Sequence, residues 1–250
     1  MCYSKNKDLH LSHRILSISL LFMLLLSFKL QAASVSGYKW GNQTLGTGAN
    51  VTYSYMSGGQ GCDHGRTCSS LASFMTDGFE SEVKRAFETW SAAANINFEL
   101  VADDGADWGS STNSGDIRIA GHTFERADET SALAHAYFPI SPYWSGAGDI
   151  HFNVTKNWTI GSAGGYDIFF VALHEIGHAL GLRHDSSTLA VMNPYYNANL
   201  TALTADDIAG IRQIYGIRAL IHAPIPAAFW LFASGLIALV GFRKKQSVSV

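Results

Sequence analysis

Residues 171–194 read VALHEIGHALGLRHDSSTLAVMNP. Apolar residues recur here at helical spacing, yet three histidines and a glutamate interrupt them. His174 and His178 are four residues apart. At 100° per residue their side chains lie within about 40° of each other on one helix face, one turn apart, so both imidazoles can point at one ion. Glu175 stands about 100° round from His174, beside that ion rather than on it. Gly181 lets the helix stop and the chain turn, because glycine takes positive φ at little cost. His184 then returns as a third nitrogen donor. Three neutral nitrogens leave one position of a zinc ion open and lower the pKa of a water there towards ~7, and Glu175 is spaced to take its proton. A lone histidine on an apolar helix is usually an ordinary core residue. The full pattern H-E-x-x-H-x-x-G-x-x-H, with Met192 eight residues after His184, outweighs that reading.

Working outward, ANVTYSYM (49–56) alternates apolar and polar residues as a half-buried strand does. DGFESEVKRAFETWSAAANI (77–96) brings Phe79, Val83, Ala86, Phe87 and Trp90 to one helix face, with acids early, where the helix dipole favours them. INFELV (96–101), GDIRIAG (115–121), ALAHAYFP (132–139) and GDIHFN (148–153) read as short strands, and ADDGADWGSSTNSG (102–115) as a loop. The histidine helix is expected to open at Asp167 as N-cap. A final helix, TADDIAGIRQIY, has Thr204 as N-cap and ends at Gly216. Strands first and helices later point to an α+β or mixed-sheet domain over residues 34–216.

With 250 residues, 47% of them hydrophobic and 15% charged, the chain can bury the core of one medium domain plus short appendages. Residues 34–216 hold 19 acidic against 9 basic side chains, which argues against a nucleic-acid partner. The basic residues gather at the ends. Lys5, Lys7 and Arg14 precede the apolar run ILSISLLFMLLLSF (15–28) and then KLQAAS, so residues 1–33 read as a signal peptide cut near Ala32 or Ala33; an uncleaved anchor is the alternative. Cleavage removes Cys2. In an exported chain the remaining Cys62 and Cys68, in GCDHGRTCSS, suggest a local disulfide. A zinc site using Cys62, His64 and Cys68 is the alternative and lacks a nearby fourth ligand. At the other end, a Pro-containing linker (217–226) leads to an all-apolar run and Arg243, Lys244 and Lys245, so residues 227–250 read as an anchor helix with a basic tail.

The motif and its trailing methionine resemble the metzincin metalloproteases, and residues 37–216 as a whole resemble the matrixin-type catalytic domain. The resemblance implies a twisted five-stranded mixed sheet with one antiparallel edge strand, packed with three helices. It implies a catalytic zinc on His174, His178 and His184, Glu175 as general base, and Met192 as an apolar floor under the histidines. SALAHAYFP resembles the rim strand, around Ala134, that pairs with an extended polypeptide substrate. VMNPYY resembles the Met-turn and the wall of the S1′ pocket, here Pro194 and Tyr196. Phe170 falls at the pocket's base, where an aromatic favours a medium, apolar P1′ side chain. LTADDIAGIRQIYG resembles the closing helix.

His122, His135 and His151 match three donors of the family's second, structural zinc. The family's carboxylate belongs two residues after His122, where this chain has Phe124; Glu125 or Asp128 could substitute. Asn153 and Lys156 stand where calcium-binding acids are usual, which argues against a calcium requirement. Asp185 replaces the family's usual serine and is more typical of the adamalysin branch. The tail resembles the PEP-CTERM sorting tails of bacterial proteins, implying export and sorting machinery as partners. The expectation is a monomeric, exported zinc metalloendopeptidase at the cell envelope, cell surface or outside, with the tail as an anchor. The alternative is a non-catalytic envelope or biofilm-matrix binding protein on the same scaffold; the intact ligands and glutamate weigh against it.

Overall fold

The computed structural model describes residues 34–110, 114–125, 130–140, 144–161, 164–187 and 189–219. The expected export signal (1–33), the expected anchor tail (227–250) and Asp128 lie outside them. In chain order the elements are β1 (Ala49–Tyr55), β2 (Gly58–Gly61), β3 (Thr67–Ser69), α1 (Phe79–Ala93), β4 (Ile96–Leu100), β5 (Ile117–His122), β6 (Ala134–Ala136), β7 (Ile150–Asn153), β8 (Trp158–Thr159), β9 (Tyr166–Asp167), α2 (Ile168–Ala179) and α3 (Ala205–Tyr215).

The main sheet runs β4–β1–β5–β7–β6. Its first four strands are parallel, and β6 closes the edge antiparallel to β7. This is the expected α+β arrangement of five strands and three helices. Every residue of β5 is buried, as in a parallel sheet covered on both faces, whereas edge strand β6 stays half-exposed. The β2–β3 hairpin, which the sequence pattern does not announce, reaches β5 through one bridge, Ser69 to Gly121.

Helix α1 covers one face of the sheet. Phe79, Val83, Ala86, Phe87 and Trp90 are all buried on the predicted stripe, and Phe87 stacks on Tyr53 of β1 at 4.1 Å between ring centroids. Trp90 is fully buried and donates its indole N–H to Leu173 O of α2 at 2.9 Å. Buried aromatic side chains of this size cost about 3–5 kcal/mol when cut to alanine, so the α1–α2 contact is a main support of the histidine helix. Among the described residues no helix is long and apolar enough to cross a membrane.

Candidate active site

Helix α2 begins where the Asp167 carboxylate accepts the N–H of Phe169 at 2.9 Å. It is apolar on nearly every side because nearly every side is packed; only His174 of its twelve residues is not buried. After Leu180 the chain turns at Gly181 with φ +102, and a Cβ there would lie 2.3 Å from Tyr38 O. Glycine is therefore required twice over, by backbone conformation and by space. The turn is held from outside by the antiparallel bridge of Val35 with Leu182.

The three imidazoles converge. Ring centroids are 4.7 Å apart for His174–His178, 4.7 Å for His178–His184 and 5.4 Å for His174–His184, and a donor atom of each lies within 4.8 Å of the others. His174 Nδ1 is 2.7 Å from Val191 O and His178 Nδ1 is 2.8 Å from Leu182 O. A carbonyl only accepts, so both Nδ1 atoms carry the proton and both Nε2 lone pairs face the common centre. Burial holds His174 down to about pKa 4 and, with His174 beside it, His178 down to about 3; burial lowers His184 as well. Neutral imidazoles in fixed tautomers, with His184 exposed on the open side, fit a zinc ion with an accessible position.

Glu175 is buried beside this centre, and its Oε2 finds no hydrogen-bond partner among the described residues. Burial pushes its pKa up to about 8. Beneath, Met192 is fully buried, and a Cβ on Gly177 would lie 2.3 Å from Met192 Sδ. The Met-turn can approach the helix because residue 177 has no side chain. Asp207 of α3 fastens it from the other side, accepting the N–H groups of Val191 at 2.9 Å and Met192 at 3.2 Å. The same carboxylate completes a capping box with Thr204.

The histidines open into a cleft of about 1030 Å³ bordered by Ala134 of β6, Phe170, Pro194 and Tyr196. The rings of Phe170 and Tyr196 meet edge-on at 5.3 Å, and the Tyr196 hydroxyl accepts the Asp167 N–H at 3.0 Å, tying this wall to the start of α2.

His122, His135 and His151 also come together, with one correction. Phe124, at the position of the family's carboxylate, stacks its ring on His135 at 4.9 Å, and among the described residues the carboxylate neighbour of the cluster is not Glu125, which is exposed and accepts from the Thr123 hydroxyl at 3.0 Å. It is Asp63. Asp63 Oδ1 lies 2.9 Å from His122 Nε2, and Oδ2 lies 3.0 Å from His135 Nε2 and 3.7 Å from His151 Nδ1. Burial alone would raise the Asp63 carboxyl, but its contacts with the three imidazoles hold it well below the ordinary carboxylate range. Asp63 stands in a 3-10 turn, Asp63–Gly65, directly after Cys62. Cys62 and Cys68 are joined as a disulfide, which removes the thiolates that a Cys62–His64–Cys68 zinc site would need. At the expected calcium positions, the Lys156 ammonium donates to Thr130 O and the Asn153 amide to Ala132 O, both at 3.0 Å, so protein groups tie this loop to β7.

Asp63, Gly177 and Asp207 escaped sequence reasoning as site residues. Only Asp207 left a local trace, as the third residue after the Thr204 cap.

A family model described as Matrixin matches residues 68–216. The chain is 38% identical over 145 residues to the hatching enzyme of Paracentrotus lividus, covering 55% of this chain and 22% of that protein. It is 38% identical over 145 residues to matrilysin of Rattus norvegicus, covering 54% and 50% respectively. With karilysin of Tannerella forsythia the identity is 34% over 151 residues, covering 58% and 30%. The chain thus spans at most half the length of these relatives. The matched segment carries the three converging histidines, Glu175 and the Met-turn, and the chain belongs to the matrixin peptidase family.

Proposed function

We propose that this chain is an exported zinc endopeptidase that cleaves extended polypeptides. The observation that carries the reading is the convergence of three neutral imidazoles within 4.8 Å beside a buried carboxylate whose Oε2 has no hydrogen-bond partner among the described residues, at a cleft bordered by a strand edge. Zinc, when bound by His174, His178 and His184, supplies Lewis-acid polarisation of a carbonyl and of a water. The remaining steps belong to the chain's own groups. β6 offers its outer edge to an extended peptide, because among the described residues it pairs on its inner edge alone, with β7. Glu175 takes a proton from the attacking water and returns it to the leaving amine. Phe170 and Tyr196 line the apolar side pocket and favour a medium, apolar side chain at P1′.

His122, His135 and His151 hold a second, structural zinc in this reading, and calcium has no part in it. Residues 1–33 direct export and residues 227–250 act as a sorting anchor; the Cys62–Cys68 disulfide fits an oxidising compartment. The domain acts as a monomer.

The test is Glu175→Ala in the full-length chain, assayed on a quenched peptide pool alongside zinc content. The expected outcome is retained zinc with hydrolysis reduced by about 10²–10⁴-fold or more. Parental activity in that variant overturns the mechanism, and parental protein that binds zinc yet turns over no peptide favours the binding-protein alternative.

A further inference from the structure

The cluster around His151 departs from the spacing that the family resemblance implies, and the departure has a chemical consequence. His122 Nδ1 is 2.8 Å from Thr123 O, so it carries the proton and Nε2 presents a lone pair. That lone pair points into a site where Asp63 Oδ1 lies 2.9 Å away. His135 Nε2 and His151 Nδ1 approach to 3.1 Å in the same space. A proton shared between two such groups offsets their repulsion for one pair, whereas a single cation among all four offsets it for every pair at once. Donors on a tetrahedral zinc, at bond lengths of ~2.0–2.2 Å, stand ~3.4 Å apart, and the contacts of 2.9, 3.0, 3.1 and 3.7 Å bracket that value. Asp63, His122 and His151 are essentially inaccessible to solvent, and the Tyr137 hydroxyl donates to Asp63 Oδ2 at 2.8 Å, orienting the carboxylate from outside.

We propose that Asp63 is the fourth ligand of this zinc, standing in for the missing carboxylate after His122, and that the Cys62–Cys68 disulfide makes metal retention at this site depend on the crosslink. The inference rests on the reading of His122, His135 and His151 as a zinc site. Asp63 reaches the histidines from a separate segment, the 3-10 turn between the two cysteines. The disulfide closes that turn across six positions. Its Cys62 sulfur lies 3.8 Å from His151 Nε2, on the side of the ring away from the metal-facing Nδ1. One crosslink therefore restrains the segment that carries the carboxylate and packs behind one of the imidazoles. Without it the turn samples many conformations, and ordering Asp63 draws on the binding free energy of the ion.

The test measures zinc per chain, and its release by a graded series of chelator concentrations, in the full-length protein with the fold followed by circular dichroism. The parent is expected to hold two zincs. Asp63→Asn is expected to keep the catalytic zinc and to weaken the second by more than the ~10–100-fold that loss of an outer-shell partner costs, and Asp63→His, which restores a donor, to recover it in part. The Cys62→Ser/Cys68→Ser pair is expected to bind both ions but to release the second at ~10-fold or more lower chelator. A parent with one zinc overturns the second-site reading itself. A parent with two zincs and an unchanged Asp63→Asn overturns the ligand assignment alone, and an unchanged serine pair overturns the role of the disulfide. If Asp63→Asn does not fold, anomalous diffraction from parent crystals decides: zinc density bonded to Asp63 supports the assignment, and density bonded only to the histidines overturns it.

Discussion

The trio His174, His178 and His184 occupies eleven consecutive residues on one helix and the turn after it, whereas the cluster of Asp63, His122, His135 and His151 draws on a 3-10 turn and three strands. The first is a product of helix pitch: residues four apart share a face whatever the rest of the chain does. The second is a product of sheet register. His135 faces His151 directly across the β6–β7 pair, and His122 sits two places beyond Ala120, the β5 partner of His151. The clusters differ in exposure too. The first opens through exposed His184 into the cleft, while the second is closed and buried on nearly all sides. An open three-donor set suits a reacting metal, and a closed four-donor set suits a metal that holds a fold together.

Three substitutions break or sharpen that contrast, beginning with the largest effect. His178→Ala is expected to abolish zinc at the open site and bring peptide hydrolysis to background, while the closed site keeps its ion. Elemental analysis with a peptide assay checks this, and loss of both ions would show the two centres to be coupled. His151→Ala is expected to empty the closed site and leave hydrolysis per folded molecule intact. If free zinc stands a thousandfold above its Kd, losing that ion removes about 4 kcal/mol, or a Tm fall of about 8–16 °C in a domain of this size. An unchanged melting curve with lost hydrolysis would reverse the assigned roles. Gly177→Ala is expected to be mildest, about 1–3 kcal/mol from forcing Met192 off the helix, read as a smaller Tm fall with two zincs still bound.

Helix α1 was readable from its apolar stripe, and α2 and α3 from their caps at Asp167 and Thr204, because these signals act within a turn or two of chain. The five sheet strands were readable as segments, but β6 shrank from an eight-residue expectation to Ala134–Ala136. The β2–β3 hairpin passed unseen because GGQG and TCS carry no alternating pattern. Gly177 looked like an ordinary helix position until Met192 was found against it.

By itself, then, the sequence determined the open histidine site with its glutamate and the helix caps, since each depends on neighbours within a few residues, whereas the histidines of the closed cluster were named only through the family resemblance. Only the tertiary structure decided which carboxylate joins His122, His135 and His151. The β2–β3 hairpin delivers Asp63 from 59 residues upstream of His122, and no local rule links positions that meet only through sheet register and a crosslinked turn.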